Sequence, residues 1–353
     1  MEFYHDILEN LLDKLIDYRG KTPKKTLSGI PLVTAKIVKN GTINGYTEYI
    51  AEEDYEKWMV RGFPKVGDVI LTTEAPLGEV ALLKEEKVAL AQRIVCLRGK
   101  DNVLDNTYLK YYLQSGKGQK SLSARESGTT VTGIKQAELR RVDIEYPTYD
   151  DQRRISSILS SLDRKIELNN KINAKLEEMA QAIFKNWFVD FEPFKDGKFV
   201  ESELGMIPEG WKVGRADDFY QINIGKTPPR KEHKWFSTNP ADKIWVSIAN
   251  MGNSGIFISD SSEYLTKEAV DRHNIIMVPR NTILLSFKLT VGRVAIADKE
   301  LTTNEAIARF ILSDDKYMEY LYLYLKNFDY NSLGSTSSIA TAVNLSLIHI
   351  SEP

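Results

Sequence analysis

The chain has 353 residues, 42% of them hydrophobic and 27% charged, a balance that suits a soluble globular protein with room for two domains. Its formal net charge of -2 supplies no global attraction for nucleic acid, so any phosphate binding depends on where the cations sit. Cys96 is the single cysteine, which excludes an intrachain disulfide and a cysteine-rich zinc site and fits a reducing cytoplasm; His5, His233, His273 and His349 are scattered without metal-ligand spacing.

The opening MEFYHDILENLLDKLIDYRG is acidic throughout and is not a signal peptide. No apolar run reaches the roughly 18 residues of a membrane span, so no membrane partner is expected. Ile7, Leu8, Leu11, Leu12 and Leu15 predict an amphipathic helix over Tyr4 to Asp17, stopped by the Gly20-Lys21-Thr22-Pro23 turn. Between 30 and 100, the runs IPLVTAKIV, GDVILTTE, GEVALL and ALAQRIVCL predict short strands bounded by turn residues. Helices are expected over Ala51 to Val60, with three acids in its first turn, and over Asn106 to Leu113.

Residues 150–187 contain no glycine or proline. Ile155, Ile158, Leu162, Ile166, Asn169, Ile172, Leu176, Met179 and Ile183 follow an alternating three–four spacing. They predict a helix roughly 50 Å long whose stripe needs a second helix, with Asn169 and Asn170 setting register. Packing against the chain's own globular part is the alternative. An aromatic connector, WFVDFEPFKDGKFVESELGMIPEGW, follows, and residues 211–340 then resume the earlier mixed pattern.

That resumption is an ordered internal repeat. GKTP at Gly20 returns at Gly225, IPLVTAKI at Ile30 as IWVSIANM at Ile244, and VGDVILTTEAPLGEVALL at Val66 as RNTILLSFKLTVGRVAIA at Arg280. Ala91-Gln92 matches Asn304-Glu305, and the pairs Tyr108-Leu109 and Tyr112-Leu113 match Tyr320-Leu321 and Tyr324-Leu325. The fold class expected is therefore α+β, two duplicated domains linked by a long coiled-coil-forming helix. The expected division is 1–148, a helical spacer 149–190, connector and second domain 191–344, and a tail 345–353. A split DNA target needs two similar surfaces at fixed separation. A repeated enzyme domain or a repeated scaffold gives the same pattern.

No P-loop, Rossmann fingerprint or nucleophile elbow is present, so no catalytic residue and no bound metal are assigned. Asp68, Glu74 and Glu79 read as turn or solvated residues, and the repeat exchanges Asp68 for Thr282 and Glu79 for Arg293. The better candidates are basic loops, where Lys and Arg can meet phosphates. Arg19, Lys21, Lys24 and Lys25 flank the first GKTP, and Lys226, Arg230, Lys231 and Lys234 flank the second. Lys36, Lys39 and Asn40, and in the second copy Asn250 and Asn253, follow matching strands and are candidates for reading base edges. SARESGTTVTGIK and GSTSSIATAVN end the two domain bodies and suit either phosphate contact or helix capping.

AIFKNWFVDFEPFKDGKFVESELGMIPEGWKV, the two GKTP turns and DQRRISSILSSLDRKIELNN together resemble the specificity subunit of type I restriction–modification systems. Pro147 and Gln152 keep that family's pattern ahead of the central helix, while Asp151 stands where glutamate is usual. The resemblance runs to about residue 344. It implies two target-recognition domains, each reading one half of a split double-stranded DNA target, and a helix that docks methyltransferase subunits. S-adenosylmethionine, ATP and magnesium would then be bound by methyltransferase and motor–nuclease partners, none by this chain. The alternative is a duplicated adaptor that does not bind DNA. The family's second conserved helix is not recognisable, and LSLIHISEP, without an evident counterpart in the first copy, is expected to be a foreign tail.

Overall fold

The computed structural model describes residues 2–18, 20–128, 132–333 and 348–352, and the chain divides into two compact units, Met1–Lys171 and Ile172–Pro353. The division falls inside one 40-residue helix, Tyr149–Phe188, so the helix contributes to both.

Among the described residues, the first unit is built on three sheets and a small hairpin of Val38–Lys39 with Thr42–Ile43. Leu12–Asp17, Ile94–Gly99, Val69–Thr73 and Leu77–Leu82 pair antiparallel in that order. Ala89–Leu90, Ile30–Val33, Tyr49–Ile50 and Lys25–Thr26 form a second, whose first pair is parallel. Tyr4–Ile7 pairs with Asp143–Tyr146. The helix Asn106–Gln114 is capped by Asp105, whose carboxylate accepts from the Tyr108 N–H at 2.8 Å. Its Tyr108, Leu109, Tyr112 and Leu113 enter one core with Val69, Leu71 and Val95.

The second unit repeats this order. Gln221–Ile224, Ile307–Ile311, Ile283–Ser286 and Val294–Ala297 form the first sheet, with Phe257–Ile258 added at its edge. Thr302–Thr303, Lys243–Val246, Tyr264–Leu265 and Phe236–Ser237 form the second, again with a parallel first pair. Met318–Asn327 takes the place of Asn106–Gln114. The duplication read from the sequence is thus a duplication of sheet order.

Register corrects three expectations. Tyr4 to Asp17 is not one helix but a strand, a short helix Leu8–Leu11 and a second strand, because its backbone groups pair with residues about 80 and 140 positions away. Within LSLIHISEP a counterpart in pairing is present, His349–Glu352 with Lys212–Arg215 as Asp143–Tyr146 with Tyr4–Ile7, and Ile348 and Ile350 are buried like Val142 and Ile144; this pairing does not bear on whether the segment is foreign. Asp68 is not solvated; it is 1% exposed, and Arg98 grips its carboxylate at 2.7 and 2.8 Å. Glu74, by contrast, is partly exposed and pairs with Arg93.

The long helix docks on each unit with a face other than its apolar stripe. In the first unit Gln152 is fully buried, accepting from the Asp105 N–H and donating to the Val103 and Pro147 carbonyls, while Ser156 donates to Asp105. One turn and more further on, Asp163 accepts from the buried Lys110 at 2.6 Å and from Tyr111 at 2.7 Å. In the second unit Glu177 accepts from Tyr322, and Phe184 and Phe188 pack on Tyr320. Ile155 packs on the first unit's core, whereas Ile158, Leu162, Ile166, Asn169, Ile172, Leu176, Met179 and Ile183 are exposed.

Burial opposes the charge on Asp163, but the Lys110 and Tyr111 donors outweigh it and hold the carboxyl below its ordinary range. A group whose pKa is lower folded than unfolded contributes fully above the unfolded value and loses its contribution as pH falls through the folded one. Hydrogen-exchange protection over residues 156–167 is therefore expected to fall on acidification of the native chain. In Asp163→Asn it is expected to start lower and to lose that pH dependence.

Candidate nucleic-acid interface

In the first unit the predicted cations converge. A cleft of about 430 Å³ is lined by Thr22, Pro23 and Lys25 of the GKTP loop and by Lys36 and Lys39 beyond the strand Ile30–Val33. Ala75, Pro76, Gln92 and Arg93 close it. Lys25 is neutralised by Glu48 at 2.7 Å and Arg93 by Glu74 at 3.0 Å. Lys36 and Lys39 are exposed and have no ion-pair partner among the described residues, and the same holds of Lys21 and Lys24 on the loop itself. Arg19 lies outside the described residues. Asn40 sits apart, in a left-handed conformation (φ 51°), its N–H donated to Glu79 at 2.9 Å, beside a smaller hollow formed by Leu77 to Val80.

In the second unit most of the predicted cations are engaged within the chain. Lys226 donates to the His273 carbonyl at 2.6 Å. Arg230 forms a two-pronged pair with Glu263 at 2.8 and 3.1 Å and lies over the rings of Phe236 and Trp245. Lys234 covers the Trp235 ring at 4.3 Å and approaches Glu232. Lys231 alone of these four is exposed without such a partner among the described residues.

The two GKTP glycines also do different work. Strand register sets Gly225 opposite the place of Tyr18, so the motifs are two residues out of step. A Cβ on Gly225 would collide with the Asn304 and Thr303 carbonyls, whereas Gly20 has open space and a φ of 81°. The close approach that glycine permits at Gly225 is to the chain's own backbone.

Asn250 and Asn253 line a separate, serine-rich hollow of about 390 Å³ with Ser254, Ser259, Ser261 and Ser262. The Asn250 amide is committed at both ends. Its oxygen accepts from the Ser247 N–H and hydroxyl at 2.9 and 2.7 Å, closing a capping box on the helix Ile248–Asn253, and its nitrogen donates to Ser262. Asn250→Ala is expected to cost about 1 kcal/mol of stability by chemical denaturation, the usual scale for a lost cap. Any DNA sequence preference is expected to stay as it was. Of the Ser/Thr segments, residues 129–131 and the whole of GSTSSIATAVN lie outside the described residues.

Gln92 and Arg93 line the cleft too and are candidates that composition and loop charge do not single out. The repeat does mark the place, since Ala91-Gln92 matches Asn304-Glu305. Among the described residues, no helix is long and apolar enough to cross a membrane.

Two copies of one fold, one bearing a cluster of cations without ion-pair partners among the described residues, describe a duplicated recognition protein. The family model that matches is the type I restriction modification DNA specificity domain, at residues 15–178 and 208–353. The MjaIX specificity subunit of Methanocaldococcus jannaschii is 30% identical over 335 residues, 90% of this chain and 76% of that protein. The HindI specificity subunit of Haemophilus influenzae is 27% identical over 59% of this chain and 56% of its own length. The solved type I restriction–modification S subunit from M. genitalium superposes with a TM-score of 0.56 over 100% of this chain and 85% of that one, at 15% identity, a likeness of fold. The chain belongs to the type I restriction–modification specificity-subunit family, and carries its DNA specificity domain twice.

Proposed function

We propose that this chain reads a split double-stranded DNA target, one half with each unit, and presents that DNA to methyltransferase subunits and to a motor–nuclease subunit of a type I complex. The observation that carries this reading is the contrast between constant scaffold and variable surface. The sheet order is the same in both units, while Gln92 and Arg93 in the first correspond by register to Glu305 and Ala306 in the second, and the segment that carries Lys36 and Lys39 after one strand is replaced after the other by the helix Ile248–Asn253, which has no cation. A protein that reads two unlike half-sites needs that combination, because the fold supplies the placement and the surface supplies the discrimination. The long helix sets the interval between readings. Its exposed stripe is available to a partner helix. S-adenosylmethionine, ATP and magnesium belong in this scheme to the partner subunits, and the chemistry of methylation and cleavage is theirs.

The test is to express the chain with the methyltransferase subunit encoded beside its gene and to map methylated adenines in host DNA. A two-part motif, modified only when both are present, is the expected result. Correct assembly of the two proteins without any methylated motif and without duplex binding would leave an adaptor in place of a reader.

A further inference from the structure

The two units differ most informatively at one turn, which follows the edge strand of the second sheet, Ala89–Leu90 in the first unit and Thr302–Thr303 in the second. Parallel pairing aligns Ala89 with Leu32 in the first unit and Thr302 with Trp245 in the second, so Gln92 and Glu305 occupy the same place, as do Arg93 and Ala306. The residue that ends the turn keeps its character, since Ile94 and Ile307 are both buried. The two before it do not. Ala306 is buried, and Glu305 is engaged by the Thr227 hydroxyl.

Gln92 is half-buried, lines the same cleft as Lys36 and Lys39, and its carboxamide has no hydrogen-bond partner among the described residues. Neither its amide oxygen nor its nitrogen is buried, so both are open to solvent and available to a partner that enters the cleft. Arg93 follows in a left-handed conformation (φ 71°) and is steadied by Glu74, so the turn itself is held. A carboxamide offers a donor and an acceptor side by side, and in the major groove that pair matches the N6 and N7 edge of adenine. Lys36 and Lys39 are placed to hold the flanking phosphates.

We propose that Gln92 reads an adenine in the half-target taken by the first unit, an assignment that rests on the DNA-reading function proposed above. The full chain is incubated with a pool of randomised duplexes, and bound sequences are counted for the native protein, Gln92→Ala and Gln92→Glu. The native protein is expected to enrich a motif with adenine at one position. Gln92→Ala is expected to lower the preference there about tenfold and to leave the other positions and non-specific affinity as they were. Gln92→Glu, an acceptor only, is expected to move that position toward cytosine, whose N4 amino group donates. A motif unchanged in both variants overturns the assignment while the reading function stands. Loss of all duplex binding in Gln92→Ala also overturns it, since Gln92 would then support the fold. Absence of any motif for the native protein overturns the reading function, and the assignment with it.

Discussion

Replacing Lys21, Lys24, Lys36 and Lys39 together by alanine is expected to remove most of the first unit's affinity for DNA of any sequence. These side chains have no ion-pair partner among the described residues, so their charge is available to phosphates. Each phosphate neutralised on B-form DNA contributes about 0.9 to the slope of log affinity against log salt. Losing four contacts should flatten that slope by about 3–4 and weaken binding near physiological salt by roughly two to three orders of magnitude. The matching variant of Lys226, Arg230, Lys231 and Lys234 is expected to flatten it by only about 1. Three of those four are engaged with a carbonyl, a carboxylate or a ring, and only Lys231 is not. Its larger effect is expected on stability, through the loss of Arg230 from between Phe236, Trp245 and Glu263. Equal slopes in the two variants would show that the cleft beside Lys36 and Lys39 is not where phosphates sit.

Asp68→Thr is expected to destabilise the first unit by about 3 kcal/mol, the scale for removing one partner of a buried ion pair. For a unit of this size that corresponds to a fall in Tm of about 6–12 °C. The carboxylate is 2% exposed and Arg98 17%, so Arg98 is left with little water to replace its partner. Asp68 also accepts from the Lys65 N–H at 2.8 Å and from the Cys96 thiol at 3.3 Å, where burial, and then the nearby carboxylate, push the thiol pKa well up. The second unit shows how the same place is built without charge. Register puts Thr282 at the position of Asp68, Ile311 at that of Arg98 and Pro279 at that of Lys65. Proline has no N–H to offer a carboxylate, and Thr282 instead donates to the Pro279 carbonyl at 2.8 Å. Asp68→Thr combined with Arg98→Ile should therefore recover most of the lost stability in thermal denaturation. A double variant no better than the single would mean that the two units do not share this layer.

The same layer holds a second exchange, Cys96 for Arg309. Arg309 is 1% exposed and has no carboxylate partner among the described residues; its guanidinium donates to the carbonyls of Ile276 and Ile224, and burial lowers its pKa to about 10. The duplicated layer thus holds a buried ion pair with a thiol in one copy and a single cation on backbone carbonyls in the other.

The sequence by itself determined the features that depend on short spacings or on order along the chain. The stripe from Ile155 to Ile183 repeats on a helical period, and a 40-residue helix is present. The helix around Tyr108 to Leu113 and the β-rich runs between 30 and 100 were legible for the same reason. The duplication was legible because matched residues recur in order. Tertiary structure alone decided what depends on distant partners. The leucines of Leu8 to Leu15 suit a helix locally, but Leu12–Asp17 is a strand because Ile94–Gly99 lies alongside to take its hydrogen bonds. The stripe is exposed because the docking contacts are made by Gln152, Asp163, Glu177 and Phe184 on another face. Lys36 and Lys226 are alike as letters in basic loops, yet one charge is free and the other rests on the carbonyl of His273. Whether a polar side chain is available to DNA is settled by what else lies within about 3 Å of it, and chain order does not record that.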